Sequence, residues 1–358
     1  MKTPKHIIGI HLLNNLSGSP RVFADALKVL HEDGNEVSLY TSKGEGFLSN
    51  LPFEKRTLFY RWSNNRLGRL AWYIWSQLIL FFQLLRYWNK PATIFINTLL
   101  PFGAAAAAWV MRKPVVYYLH ETHIDPPRLD RFLRSWVRRT ARVGICVSHF
   151  LEKNHGVAGI KHVVIHNPLP GDFAQAQTQK SQKQGVPLKA LMVASLKKEK
   201  GLPEILDLAR TTPSVHFTLV IGAPEEAVAE YFEAESVPGN LDIFPAQKDI
   251  AAFYARHDVL LNLSDPVRLP ETFGMTILEG FAFGMPAIVP PDGGPAELVR
   301  EGIEGFVIHP QNTDEIADTL RLLSQDKEAF DALSENALAR VEDFRIEAFG
   351  KKLRTVFE

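Results

Sequence analysis

The chain has 358 residues, 46% hydrophobic and 22% charged, proportions usual for a soluble globular protein and more sequence than one core usually fills, so two domains are expected. A single cysteine, Cys146, excludes a disulfide framework; inside the apolar run Val143 to Val147 it reads as a buried thiol in a strand. The net charge of zero hides two opposed halves: Met1 to Pro170 carries 22 Lys+Arg against 10 Asp+Glu, net +12, and Gly171 to Glu358 carries 18 against 30, net −12. The basic half is expected to face something anionic, a nucleic acid or a membrane surface.

Met1 to Leu13 lacks a charged leader before a long apolar run, so no signal peptide is expected. His6 to Leu12 reads as a buried strand, Asn14 to Pro20 as a turn-rich loop, and Arg21 to His31 as a helix whose buried face is Val22, Phe23, Ala26, Leu27 and Leu30. A second strand, Glu36 to Tyr40, completes a β-α-β unit and implies a parallel sheet. The loop after the first strand lacks Gly-x-Gly-x-x-Gly spacing, which argues against NAD or FAD. Gly18, close to the helix start, is still a candidate for approach to a ligand's phosphate or backbone.

Arg56 to Tyr60 reads as a third strand. Arg66 to Trp88 is an apolar, aromatic helix, and its continuous stretch Leu70 to Leu85 is short for a membrane span. With Arg61, Arg66, Arg69, Arg86 and Lys90 at its flanks, it has the pattern of an interfacial helix on an anionic bilayer, and equally that of a core helix with some exposed aromatics. Further strands are expected at Thr93 to Asn97, Val115 to Leu119, Val143 to Val147 and His162 to His166, with helices at Gly103 to Val110, Leu129 to Thr140 and Ser148 to Asn154. No zinc finger, recognition helix or aromatic-basic interleaving supports nucleic acid.

The polar, Gln-rich stretch 171–187 reads as an interdomain linker. Strands then recur at Lys189 to Ala194, His216 to Ile221, Leu241 to Phe244, Val259 to Leu263, Ala287 to Val289 and Gly305 to Ile308. Helices fit at Gly201 to Arg210, Glu225 to Glu235, Asp249 to Ala255, Phe273 to Phe283, Thr313 to Gln325 and Lys327 to Asp343. The expected architecture is α/β, two Rossmann-like doubly wound domains (1–170 and 188–342) facing an interdomain cleft at the carboxyl ends of their strands. At and within the helix expected after Pro270 two carboxylates stand out, Glu271 and Glu279, separated by seven residues, the first expected at the helix entrance and the second about two turns in. Amides exposed at such an entrance, with the positive end of the helix dipole, suit a diphosphate, and flanking carboxylates suit sugar hydroxyls.

Pro270-Glu271-Thr272-Phe273-Gly274, Glu279, Gly284-Met285-Pro286 and Gly293-Gly294-Pro295-Ala296-Glu297 together resemble the E-x7-E region of the family 4 retaining glycosyltransferases, which have the GT-B fold. Upstream, Ala194-Ser195-Leu196-Lys197-Lys198-Glu199-Lys200-Gly201 resembles the family's Gly-Arg-Leu-x-x-x-Lys-Gly loop, and downstream Gly302-x-x-Gly305-Phe306 continues the likeness. The match is dense over Leu191 to Ile308 and collinear over the first domain, where it includes Cys146-Val147-Ser148 and Ile165-His166-Asn167-Pro168.

That resemblance implies transfer with retention from a UDP- or GDP-sugar to a glycan or lipid-linked acceptor, with no cofactor beyond the donor itself. It implies that Glu271 contacts donor-sugar hydroxyls, Glu279 the ribose hydroxyls and Lys200 the diphosphate, with the amides around Phe273 and Gly274 completing the phosphate cradle. Gly222, after the strand His216 to Ile221, belongs to the same donor set, and so does Ser195, which stands where the family usually has arginine. His120, after Tyr117-Tyr118-Leu119, matches a histidine that faces the donor sugar. The run His120-Glu121-Thr122-His123-Ile124-Asp125 also contains metal-ligand types, but without a second cluster or an Asp-x-Asp motif no metal is expected. The expected setting is cytoplasmic, and the basic, aromatic first domain suggests a peripheral place on an anionic membrane; the resemblance implies that 343–358 forms a terminal helix returning to the first domain. Two readings stand beside transfer: an epimerase on the same fold, and a catalytically weak membrane-associated scaffold that binds nucleotide sugars, motivated by Ser195.

Overall fold

The computed structural model describes residues 5–61, 63, 65–176 and 187–358. The chain divides into two compact units, one of residues 1–167 with 346–358 and one of residues 168–345.

In the first unit the order is β1 (His6–Ile10), α1 (Gly18–Glu32), β2 (Glu36–Ser42), β3 (Glu54–Leu58), α2 (Arg66–Leu84), β4 (Ala92–Asn97), α3 (Phe102–Met111), β5 (Val115–Leu119), α4 (Pro127–Thr140), β6 (Ala141–Cys146), α5 (His149–His155) and β7 (His162–Val164). All seven strands are parallel, in the order β3-β2-β1-β4-β5-β6-β7. Helical crossovers bury both faces of such a sheet, which explains why β1, β4 and β5 read as unbroken apolar runs. Cys146 is buried and free, and burial pushes its thiol up to about 12, as suits a structural residue.

The second unit contains α6 (Gly171–Ala176), β8 (Leu188–Ala194), α7 (Leu202–Thr211), β9 (Val215–Ile221), α8 (Glu225–Phe232), β10 (Leu241–Phe244), α9 (Ala251–Arg256), β11 (Val259–Leu261), α10 (Met275–Ala282), β12 (Ala287–Val289), α11 (Pro295–Leu298), β13 (Gly305–Val307), α12 (Thr313–Gln325) and α13 (Lys327–Arg340). Its six parallel strands run β10-β9-β8-β11-β12-β13. The core between sheet and helices is Leu, Ile, Val and Phe, with Met192, Ile205, Phe217, Leu261, Ile288 and Phe330 at its centre. In each sheet the strand order reverses beside the first strand, at β1/β4 and at β8/β11, and the crevice at the carboxyl ends of such a pair is where a doubly wound unit binds ligands.

The chain then closes on the first unit through α14 (Ile346–Phe357). Lys5 Nζ donates to the carbonyl of Phe357 (2.5 Å), Arg354 Nε to Asp33 Oδ2 (2.8 Å), and the Phe357 ring stands edge-on to Phe95, 5.0 Å between centroids.

Two local readings are corrected. The stretch expected as linker opens with helix α6, and its residues 177–186 lie outside the described residues. The helix expected from Phe273 starts at Met275, because Gly274 holds a left-handed φ of 104° and serves as its N-cap, with no side-chain cap. Glu271 therefore lies on a loop before the helix rather than at its entrance, and Glu279 is in its second turn.

Candidate functional site

The carboxyl ends of β8 and β11 carry the charged residues singled out in the sequence. Gly201 has φ +89°, and a Cβ there would stand 2.3 Å from Leu263 Cβ, so a residue without a side chain lets the β8 loop lie against the segment that follows β11. The amide of Asp265 donates to the carbonyl of Glu199 at 2.8 Å and ties the two loops together. This brings Lys200 to Glu271: its Nζ donates to Glu271 Oε2, which also accepts from the hydroxyl of buried Ser264 at 3.3 Å. Lys200 and Glu271 are partly exposed, 18% and 29% at the side chain, so the pair borders solvent and is open to a ligand.

The loop holding Glu271 is backed by the glycine pair after β12. The amide of Gly294 donates to the Glu271 carbonyl at 2.9 Å, and a Cβ on Gly294 would lie 2.4 Å from Phe273 Cα. Phe273 is buried, its ring 6.3 Å from that of Phe344, so it anchors the loop in the core. Glu279, one of three buried carboxylates among the described residues, has Oε2 accepting from the Tyr254 hydroxyl at 2.7 Å. Ser195 is exposed and its carbonyl accepts from the Lys197 amide (2.7 Å); Lys197 and Lys198 are exposed beside it. Gly222 is exposed at the end of β9, its amide donating to the Ala194 carbonyl at 2.9 Å. Glu271, Lys200, Phe273 and Gly274 are thus assembled with Ser264 at one crevice; Ser195 and Gly222 lie on the loops after β8 and β9.

The first unit has a polar cluster of its own at the carboxyl ends of β1, β4 and β5. His120 Nε2 donates to Asn97 Oδ1 at 2.8 Å, and Asn97 Nδ2 lies 2.9 Å from His11 Nδ1 and 3.1 Å from the Ser19 carbonyl. An amide oxygen only accepts and an amide nitrogen only donates, so the chain leaves His120 with a proton on Nε2 and His11 with an unprotonated Nδ1. Burial lowers His120 to about 3, helped by neighbouring His11, and lowers His11 to about 4. Both rings are neutral near pH 7. Beside them Glu121 receives the amides of Leu99 (3.2 Å) and His120 (3.3 Å), and burial raises its carboxyl above the usual range. Thr98, at a left-handed φ of 73°, has a buried hydroxyl oxygen with no hydrogen-bond partner among the described residues, a pairing of strain and an unsatisfied group that marks ligand sites.

Gly18 begins α1 with open space where a Cβ would be, so no steric demand requires glycine there. His123 is exposed and pairs with Asp125 at 3.8 Å.

Asn97, His11, Ser264 and Tyr254 were not among the sequence candidates. A polar residue ending a buried apolar strand, as Asn97 does after Ile94-Phe95-Ile96, was the available signal; Tyr254 gave none.

The sequence matches two protein-family descriptions, Glycosyltransferase Family 4 over residues 16–172 and Glycosyl transferases group 1 over residues 173–340. Sucrose synthase 2 of Oryza sativa subsp. japonica is 33% identical over 91 residues, 24% of this chain and 11% of that protein, and the match spans about a tenth of the length of such curated relatives. Among solved structures, Anabaena HepE in complex with UDP-glucose superposes with a TM-score of 0.77 at 20% identity, covering 98% of this chain and 99% of that one. Sucrose-phosphate synthase from Thermosynechococcus elongatus gives 0.76 at 16% identity, covering 99% and 98%. At these identities the two superpositions speak for the fold, GT-B.

Proposed function

The chain belongs to the family 4 glycosyltransferases, and from that premise we propose that it transfers a sugar, with retention and without a metal, from a UDP- or GDP-sugar to a glycan or lipid-linked acceptor. The observation that carries this is the convergence of Lys200, Ser264 and Glu271 at the carboxyl ends of β8 and β11. Without a ligand the lysine and the carboxylate neutralise each other. An arriving diphosphate competes for Lys200, and Glu271 then accepts from sugar hydroxyls. Glu279, whose Oε2 accepts from the Tyr254 hydroxyl, is the carboxylate assigned to the ribose hydroxyls in this reading. The UDP-glucose bound to the Anabaena neighbour supports a UDP-sugar as the first donor to try.

In this reading the bond between the anomeric carbon and the diphosphate oxygen breaks with its electron pair leaving on the diphosphate, where Lys200 stabilises the charge. The acceptor hydroxyl attacks from the same face and passes its proton to a leaving phosphate oxygen. His120, held neutral with Nε2–H toward Asn97, offers Nδ1 as an acceptor that orients a sugar hydroxyl. The expected acceptor and setting, a lipid-linked glycan in the cytoplasm at an anionic membrane surface, are supported by the basic first half. Among the described residues no helix is long and apolar enough to cross a membrane.

A thermal-shift screen of nucleotides and nucleotide sugars identifies the donor, since a ligand that binds only the folded state raises the unfolding midpoint. Turnover of that donor is then compared with Glu271→Ala, expected to lower it at least about 100-fold with its unfolding midpoint preserved. An unimpaired variant overturns the assignment. Exposed Ser195 in the arginine position favours a second reading, a membrane-associated scaffold that binds nucleotide sugars, and donor binding without hydrolysis or transfer over a panel of acceptors would select it.

A further inference from the structure

We propose that a basin at the C-terminal ends of α3 and α4 binds the phosphate headgroup of an anionic phospholipid and sets how the first unit lies on a bilayer; this rests on the membrane setting proposed above. The basin has a volume of about 500 Å³ and is lined by Trp109, Val110, Arg112, Lys113, Arg139 and Thr140, with no carboxylate in its wall. Three cations therefore face one concavity. Neither Arg112 nor Arg139 has an acidic partner among the described residues.

The local backbone leaves these cations available. The carbonyls of Ala108 and Trp109 at the end of α3 already accept from the amides of Lys113 (2.9 Å) and Arg112 (3.2 Å), so they do not draw in the guanidinium. Arg112 caps α3 at φ +54°, a left-handed position where glycine or asparagine is the usual choice. Arg139 lies over the Trp136 ring, 5.6 Å from its centre, and Lys113 Nζ donates to the Lys90 carbonyl at 2.5 Å.

That last bond joins the basin to the flank formed by α2. Gly103 lets α2 come close to α3, since a Cβ there would stand 2.1 Å from the Gln77 carbonyl oxygen. α2 buries Tyr73, Ser76, Gln77, Leu80 and Leu84 and turns Leu67, Leu70, Ile74, Trp75, Leu78 and Phe82 outward as one stripe. The helix thus packs one face on the core and exposes an apolar one, as both alternatives of the sequence reading allow. Phe82 is 66% exposed, Trp109 56% and Trp88 50%. From Arg61 to Arg142 the chain has 13 Lys and Arg against three Asp and Glu. Tryptophan and long cations around an apolar stripe match a bilayer interface, where rings sit at headgroup level and cations meet phosphate. A nucleic acid would satisfy the cations and leave the stripe in water.

The experiment is flotation with vesicles of equal parts phosphatidylcholine and phosphatidylglycerol, against phosphatidylcholine alone, over a salt series. Wild type is expected to float with the anionic vesicles and to be released by salt. At about fivefold per cation, the triple variant Arg112→Asn, Lys113→Gln and Arg139→Gln is expected to partition about 100-fold more weakly, asparagine being chosen because it tolerates the left-handed cap. Lys153→Gln, Lys161→Gln and Lys351→Gln remove the same charge at exposed sites of the first unit outside the basin and are expected to cost much less. Equal losses in the two triples, or none in the first, overturn the basin while leaving the membrane setting intact. No flotation of wild type at low salt overturns both, as does binding to duplex DNA in preference to vesicles. Should the first triple fail to fold, Arg139→Gln alone, with an expected fivefold loss, decides the matter.

Discussion

The two units wind their sheets about the same kind of switch point and furnish it with opposite chemistry. At β1 and β4 the polar groups form a neutral chain, His11, Asn97 and His120, in which burial strips protons from both rings. At β8 and β11 they form an ion pair, Lys200 with Glu271, at the border of solvent. In the proposed reading the neutral chain orients hydroxyls, since its donors and acceptors are fixed by asparagine and need no counter-ion. In the same reading the ion pair receives charge, with a diphosphate displacing the carboxylate from the lysine. One architecture thus carries a neutral hydrogen-bonded chain in one unit and an ion pair in the other, and the difference lies in the residues that follow the strands.

The comparison is broken most severely from the second unit. In Gly201→Ala the new Cβ meets Leu263 at a left-handed φ, so the loop that carries Lys200 has to move; a loss on the order of 3 kcal/mol in urea unfolding is expected, together with loss of donor binding. An alanine variant as stable as wild type would refute the tight loop packing. Acid sharpens the contrast from the first unit. His11 has a folded-state pKa of about 4, below its ordinary 6.5, so as pH falls below 6.5 the unfolded chain takes up the proton first and stability drops until the folded pKa is reached. Between pH 7 and pH 5 this costs roughly 2 kcal/mol for His11, with His120 acting in the same direction, and His11→Gln is expected to flatten that dependence. The mildest test is Tyr254→Phe, which removes the 2.7 Å bond to buried Glu279 and is expected to lower stability by about 1 kcal/mol; no change would mean that Glu279 is supported without the tyrosine.

Much of the architecture was legible because apolar runs and Gly-Pro punctuation record local demands. The β5 run Val115 to Leu119 and the glycines 293 and 294 were recognisable from neighbours in the chain alone. Glu271, Lys200 and Glu279 were legible through their order and spacing. What was not legible depends on partners distant in sequence: Asn97 acquires its meaning from His11, 86 residues away, and Tyr254 from Glu279, 25 away. The start of α10 was missed because periodicity continues through Phe273, which is buried without being helical, while Gly274 adopts a conformation that spacing does not reveal.

Helix α14 makes the first unit a discontinuous object, interrupted by the whole of residues 168–345. On the ribosome, strands β1 to β7 emerge early, but the helix whose Phe357 covers Phe95 and whose Arg354 reaches Asp33 is translated only after the second unit. The first unit therefore waits for its last piece through roughly 180 residues of further synthesis, seconds to tens of seconds at ordinary elongation rates. Cutting the chain at the boundary near residue 167 would isolate that unfinished form; a dissection that respects the fold would join 346–358 directly to the first segment.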